Sequence, residues 1–173
     1  TSRDYDGLGR LVREARPSDI VIDYGYDNAS RLISYRDAKD QTTRWQWDVL
    51  NRRTRTTYPD ATIEVMSYDA ADNLREYRDA NGNVVTQSFD DANQMTTRAF
   101  VRGAGVEGPT TESYEFDGLG RLTRAQGGAV TVDRTYDSLS RMTSESIAGQ
   151  AVQFAFDDAG NATEVRYPSG ARR

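Results

Sequence analysis

The chain has 173 residues, 36% of them hydrophobic and 28% charged, with a formal net charge of −5. It contains no Cys and no His, which excludes disulfides, thiol chemistry, His-based catalytic triads and the usual zinc sites. Its acidic balance and basic residues, all Arg except Lys39 and scattered apart from the short cluster Arg52, Arg53 and Arg55, argue against a nucleic-acid interface, and no apolar run approaches the length of a membrane-spanning helix.

In chain order, an aromatic residue followed by Asp occurs at Tyr5-Asp6, Tyr26-Asp27, Trp47-Asp48, Tyr68-Asp69, Phe89-Asp90, Phe116-Asp117, Tyr136-Asp137 and Phe156-Asp157. The intervals are 21, 21, 21, 21, 27, 20 and 20 residues. Such self-similarity marks a tandem array. Regular aromatics also oppose the disorder that low apolar content would otherwise suggest. Four positions after the aromatic stand Gly9, Ser30, Asn51, Asp72, Asn93, Gly120, Ser140 and Gly160. Five positions after it stand Arg10, Arg31, Arg52, Asn73, Gln94, Arg121, Arg141 and Asn161. Then comes an apolar residue such as Leu11, Leu32 or Leu122, replaced by Arg53 in the third unit and by Ala162 in the eighth.

The fourth position is rich in Gly and Asn, which accept positive φ at least cost, and it never holds a β-branched residue. The preceding Asp can accept backbone N–H groups as in an Asx-turn. Together these predict a tight hairpin closing on a left-handed residue, a type I turn with a G1 bulge. The Asp and the Arg or Asn of each turn can pair locally or with the next repeat.

Strand signals flank each turn. Ile20, Ile22, Tyr24 and Tyr26 share one parity, as do Trp45 and Trp47, Val130 and Val132, and Val152, Phe154 and Phe156. A second turn follows about 14 residues after each aromatic, for example at Pro17-Ser18-Asp19, Asp37 to Asp40, Pro59-Asp60, Asn81-Gly82-Asn83, Gly127-Gly128 and Ala148-Gly149. Each unit is therefore read as two strands of roughly six to eight residues. The extra residues of the 27-residue interval fall near 102–109, where a second turn belongs, and predict one longer, mobile loop.

The expected fold is all-β: one array over residues 1–173, eight units, about sixteen antiparallel strands in a long coiled sheet. Each aromatic should lie near its equivalent in the next unit, forming a ladder. Two open edges and no cap predict that the chain is part of a larger protein and that isolated copies pair edge to edge.

Other constellations carry less. Asp90-Asp91 and Asp157-Asp158 recur at the repeat turn, so turn chemistry accounts for them without catalysis. Asp79-Ala80-Asn81-Gly82-Asn83 begins like a Ca²⁺ loop but lacks the Glu at its twelfth position. Gly103 to Gly108 lacks the Lys and Ser/Thr of a phosphate loop. Trp45 or Trp47 could stack a sugar if exposed. No catalytic, cofactor-binding or metal-ligating residue is assigned, and the repeat-defining residues are expected to be structural.

The unit aromatic-Asp-x-x-Gly-Arg-Leu, clearest in Tyr5 to Leu11 and Phe116 to Leu122, resembles the Rhs/YD repeat. That family includes Rhs effectors, the B and C subunits of Tc toxins, wall-associated toxins and the teneurins. The resemblance implies a β-sheet spiralling into a hollow shell, which encloses a C-terminal toxin in the bacterial members and forms an extracellular adhesion scaffold in teneurins. The absence of Cys and the preference for Arg over Lys point to a bacterial member. The resemblance implies a secreted or delivered wall segment whose partners are neighbouring repeats and an enclosed toxin, with no cofactor. The alternative is an adhesion or carbohydrate-binding module. No toxin or secretion-targeting domain is recognisable in this stretch, so the cargo is not assigned.

Overall fold

The computed structural model describes residues 1–103 and 105–172. The first half holds β1 (Ser2–Tyr5), β2 (Leu11–Arg16), β3 (Ile20–Tyr26), β4 (Leu32–Arg36), β5 (Thr42–Trp47), β6 (Arg53–Thr57), β7 (Ile63–Tyr68) and β8 (Leu74–Arg78). The second half holds β9 (Val84–Phe89), β10 (Met95–Val101), β11 (Thr111–Phe116), β12 (Leu122–Gly127), β13 (Val130–Tyr136), β14 (Met142–Ile147), β15 (Gln150–Phe156) and β16 (Ala162–Arg166). Among the described residues, sixteen antiparallel strands follow one another in sequence order through one open sheet. The chain divides into two compact units, Thr1–Val84 and Val85 onward. Among the described residues no helix is long and apolar enough to cross a membrane.

The hairpin turns are set by backbone chemistry. Positive φ occurs at all eight positions four after the aromatic, from 60° to 69° at Ser30, Asn51, Asp72, Asn93 and Ser140. Closing on a left-handed residue leaves one extra residue on the second strand. Tyr5 thus pairs with Leu11 while Asp4 pairs with Arg13, a bulge at the aromatic. The same register shift recurs at Tyr26, Trp47, Tyr68, Phe116, Tyr136 and Phe156.

The second turns are of several kinds, and they explain the drift in spacing. Five-residue links at 37–41, 58–62 and 79–83 rebuild the first turn's hydrogen bonds, with positive φ at Asp40, Ala61 and Gly82. Asp37 and Asp79 occupy the Asp position there, and Tyr58 stands in for it at the third. Pro17–Asp19 is a three-residue link between Arg16 and its partner Ile20. In the last full repeats the links shrink to two residues, between Gly127 and Val130 and between Ile147 and Gln150. The longer strands β13 and β15 absorb most of the difference, leaving 20-residue spacing. Strands are therefore four to seven residues long, shorter than the sequence predicts where long turns consume chain. Between Val101 and Thr111 the chain makes the long connection, closed by Phe100 N–H donating to the Thr110 carbonyl at 2.8 Å. The expected loop near 102–109 falls on this connection, and its Ala104 lies outside the described residues.

Register also sorts the side chains in each unit. In the first, Glu14 opposite Ile22, Tyr24 opposite Tyr35, Trp45 opposite Thr56 and Met66 opposite Tyr77 define an aromatic face. Arg13, Asp23, Arg36, Arg44 and Thr57 fall on the other, polar face. In the second unit Tyr114 opposite Ala125 and Ala125 opposite Val132 mark the aromatic face. A single layer buries little: among the described hydrophobic residues only Ile22 and Met66 are buried, each still 8% exposed. Stability must come largely from backbone ladders and from side chains that hold adjacent repeats together.

Candidate functional site

The recurring turn is the chemical feature of this chain. In the first unit the Asp6 carboxylate accepts the backbone N–H groups of Leu8 at 2.9 Å and Arg10 at 3.0 Å through Oδ1. Its Oδ2 accepts Arg10 Nε at 2.7 Å. The turn backbone adds Gly9 N–H to the Asp6 carbonyl and Asp6 N–H to the Arg10 carbonyl, both 2.9 Å. One carboxylate thus satisfies two amides and orients one guanidinium.

That guanidinium then bridges to the next repeat. Arg10 Nη1 donates to the Asp27 carbonyl at 2.9 Å and to Ser30 Oγ at 3.1 Å. Its carbon lies 4.8 Å from the centre of the Tyr26 ring. The Tyr26 hydroxyl in turn donates back to the Leu11 carbonyl at 3.0 Å. This pair of repeats is therefore clasped in both directions.

The forward arm of the clasp repeats wherever Arg occupies the fifth position, and the return hydrogen bond wherever the next aromatic is Tyr or Trp. Arg31 binds Asp27 and reaches the Asp48 carbonyl at 2.6 Å and Asn51 Oδ1 at 3.1 Å, and Trp47 Nε1 donates back to the Leu32 carbonyl at 2.9 Å. Arg52 binds Asp48, lies 4.6 Å from the Tyr68 ring, and meets the Asp69 carbonyl and Asp72. In the second unit Arg121 binds Asp117 and covers Tyr136, and Arg141 binds Asp137 and covers Phe156. Their Nη1 atoms meet the carbonyls of Asp137 at 3.0 Å and Asp157 at 2.9 Å. The Arg and Asp side chains of these turns are about one-quarter exposed, which places them between a surface ion pair and a desolvated one.

Local and inter-repeat pairing are thus both realised by the same arginine. The expected aromatic ladder takes a different form. Where Arg precedes, a guanidinium covers the next repeat's ring at Tyr26, Tyr68, Tyr136 and Phe156. The one ring-to-ring contact among the described residues is Tyr24 with Tyr35, at 5.6 Å. The distance between equivalent rings, two strand spacings, is filled by cation–π contact instead.

The turns without Arg keep the backbone turn and change the link. Asn73 Nδ2 donates to Asp69 Oδ2 at 3.1 Å, and Asn161 Nδ2 to Asp157 Oδ2 at 2.9 Å. Asp90 accepts Ala92 N–H and Gln94 N–H, both at 2.9 Å. Gln94 Nε2 then lies beside the next repeat at Gly120, 2.9 Å from where a β-carbon would be. Phe89 lies half-buried beside this turn.

Electrostatics follow the hydrogen bonds. Asp6, Asp27 and Asp48 titrate below the usual carboxylate range, first because the backbone N–H of the clasp arginine binds the ionised form. Asp117 is lowered first by the Arg121 side chain. Desolvation is the largest influence at Asp137 and opposes the lowering, which the Arg141 hydrogen bonds win.

Sequence reasoning missed a second group of polar contacts on the aromatic face. Glu14, 4% exposed, is held by Arg3 at 3.0 Å and Arg16 at 2.7 Å. Glu112 accepts Arg98 at 2.6 Å and Tyr114 at 2.7 Å, and Glu64 accepts the Tyr77 hydroxyl at 2.9 Å. The parity shared by Glu14 and Arg16 was the available signal. The remaining candidates resolve as turn chemistry. Both oxygens of Asp79 are occupied by the N–H groups of Asn81 and Asn83 and by Asn83 Nδ2. Among the described residues no group of three or more His, Cys, Asp or Glu could hold a metal ion. Trp47 is engaged by its indole N–H and is half-buried, as is Trp45.

Comparison with known proteins places this geometry. The teneurin YD-shell family model matches residues 48–172, and the RHS repeat model matches residues 5–40 and 29–63. The repeated clasp is thus part of a structural shell repeat. The chain belongs to the YD-shell family. A search of curated proteins returned no match. Among solved structures, the TcdB2-TccC3 complex without its hypervariable C-terminal region is similar with a TM-score of 0.58 and 14% identity, over 95% of this chain and 11% of that one. The Tc holotoxin pore of Photorhabdus luminescens, with a mutation in TccC3, gives a TM-score of 0.61 and 16% identity, over 96% of this chain and 10% of that one. The TcdB2-TccC3-Cdc42 structure gives 0.57 and 15%, over 92% and 11%. The chain spans about a tenth of the length of these structures.

Proposed function

We propose that this chain is a wall segment of a shell that encloses a C-terminal toxin domain in a secreted or delivered bacterial protein of the Rhs/Tc type, and that its repeat residues serve structure. The observation that carries this reading is the two-way clasp. Arg reaches forward to the next turn and aromatic ring, and a Tyr or Trp donor reaches back. A sheet with so small an apolar core gains shape stability by linking each repeat to its neighbour, and a wall needs that property. Membership of the YD-shell family and the likeness in fold to Tc toxin structures support it. The absence of Cys and the use of Arg in place of Lys fit a bacterial member. The mechanism is containment, with no chemical step assigned to any side chain here.

The test is protease protection in the parent protein. Its C-terminal domain should resist digestion while the native wall is intact and become sensitive when Arg10, Arg31 and Arg52 are changed together to Gln. Equal digestion of that domain before and after the change would remove the containment reading.

A further inference from the structure

The polar face of the first unit carries an unusual charge arrangement. On β2 to β4 its charges are neutralised in place: Asp23 meets Arg13 at 3.3 Å and Arg36 at 2.6 Å, and Arg36 meets Asp40 at 3.0 Å. Across β5 to β8 the pattern changes. Gln46 stands opposite Arg55, Arg55 opposite Val65, and Val65 opposite Arg78, so Arg55 and Arg78 lie in one cross-strand row. Arg44, two residues from Gln46 and opposite Thr57, lies diagonal to Arg55. Among the described residues, none of these three guanidiniums makes an ion pair or a hydrogen bond. The carboxylate on this stretch of face is Glu76, opposite Ser67.

The spacing suits a linear polyanion. Arg55 and Arg78 are two strands apart, about 10 Å, and Arg44 is roughly 7–8 Å from Arg55 on the diagonal. An open groove of about 830 Å³ lies beside the row, and of the three arginines Arg44, with its cross-strand partner Thr57, lines it. Gln41, Thr42, Tyr58 and Thr62 add neutral polar groups to its lining, beside Pro59, Ala61 and Ala80. Hydroxyls and amides suit sugar hydroxyl groups, and unpaired guanidiniums suit planar, bidentate recognition of sulfate oxygens. The groove's two carboxylates already have partners. Asp40 has Arg36, and Asp60 accepts the Thr62 hydroxyl at 2.7 Å.

We infer that the polar face of β5 to β8 is a binding surface for a sulfated polysaccharide, with Arg44, Arg55 and Arg78 holding sulfate groups and the adjoining groove holding sugar hydroxyls. This goes beyond the wall role and does not depend on it. Because the chain is acidic as a whole, binding must be local, and its salt dependence should reflect about three anions.

The experiment is titration of the 173-residue chain with a sulfated heparin-type oligosaccharide and with the same sugar desulfated. Saturable binding to the sulfated form is expected, weakening roughly tenfold or more on a fourfold rise in salt. It should fall at least tenfold when Arg44, Arg55 and Arg78 are each changed to Gln, and persist with Arg124→Gln, which removes an arginine paired with Asp133. A circular dichroism spectrum unchanged from the parent shows that the triple variant keeps its sheet, and the single Arg55→Gln variant is the fallback if it does not. No binding at low salt, equal binding of the desulfated sugar, or equal binding by the triple variant overturns the inference. Binding of poly-glutamate or anionic vesicles with none to the sulfated sugar also overturns it.

Discussion

Two junctions between repeats isolate what the arginine does. At Asp27 to Asn51 the turn carboxylate holds Arg31, which crosses to the Asp48 carbonyl and to Asn51. At Asp90 to Gly120 the same turn forms, with Asp90 accepting two backbone N–H groups, yet the fifth residue is Gln94. The carboxylate and the left-handed residue therefore make the turn, and the guanidinium makes the link. The following turn registers the difference. After an arginine the left-handed position holds Ser30, Asn51, Asp72 or Ser140, each supplying a side-chain oxygen to the arriving guanidinium. After Gln94 it holds Gly120, where a β-carbon would press on the glutamine amide. Positive φ in a non-Gly residue is costly, and here the side chain that bears the cost gains a hydrogen bond. The Arg141 to Gly160 junction is the exception, with the backbone carbonyl alone accepting.

The largest effect should come from removing every clasp at once. The carboxylates of Asp6, Asp27, Asp48, Asp117 and Asp137 titrate below their ordinary range in the folded chain. Groups with depressed folded values contribute stability that is fully present above the unfolded value, near pH 4, and lost as pH falls through the folded value. Stability should be flat in these groups from pH 7 to about 5 and drop steeply below about 4. An acid titration followed by circular dichroism checks this. Asp48→Asn should make the acid limb shallower by about one proton, and an unchanged limb would show that Asp48 is not part of it.

Next in size is a single turn. Asp48→Ala removes the acceptor of the Leu50 and Arg52 N–H groups and the partner of Arg52. Thermal melting should fall by roughly 5 °C, and Asp90→Ala, which lacks an arginine to strand, should fall less. Equal losses would mean that the link adds nothing to the turn.

Much of this turn chemistry is legible in the amino-acid sequence. The aromatic-Asp period marks the hairpins, and the Gly and Asn at the fourth position mark the sign of φ. Those signals are local, because an Asx-turn and a left-handed residue depend on a few neighbouring atoms. The clasp is only half-legible. Arg10 and Tyr26 are 16 residues apart, a separation that acquires meaning only once the bulge fixes which strand ends meet. That is why the period alone predicts rings meeting rings, whereas the rings meet guanidiniums. Tyr58, standing in the Asp position of a second turn, carries no signal, because its backbone makes the turn and its side chain does not. Arg44 and Arg78 read only as scattered charge, and Arg55 only as part of the short cluster with Arg52 and Arg53, until register places the three on one face.

A smaller effect separates charge from shape. Arg121→Lys keeps a cation but loses the fork that touches Asp117, the Asp137 carbonyl and Ser140 together while lying over Tyr136. Chemical denaturation should show a loss of about 1 kcal/mol, with Arg121→Ala losing about 2 kcal/mol. If Lys matched the parent, the clasp would be a point-charge attraction and the ring contact incidental.

The smallest effect is a gain, and it inverts the comparison. Gln94→Arg places a guanidinium where Asp90 can orient it and where Phe116 and the Asp117 carbonyl should receive it, on the pattern of Arg121 with Tyr136 and Asp137. The gap at Gly120 admits the longer side chain, since the atom nearest its missing β-carbon is the mobile glutamine amide itself. Gly120 offers no side-chain oxygen, so the gain should resemble the Arg141 to Gly160 junction and stay small. Melting should rise by about 2 °C, and Gln94→Arg combined with Gly120→Ser should gain no less if the hydroxyl accepts as Ser140 does. A rise for Gln94→Arg that disappears in Asp90→Ala would show that the turn carboxylate aims the guanidinium. A rise that survives would assign the gain to the Phe116 ring alone.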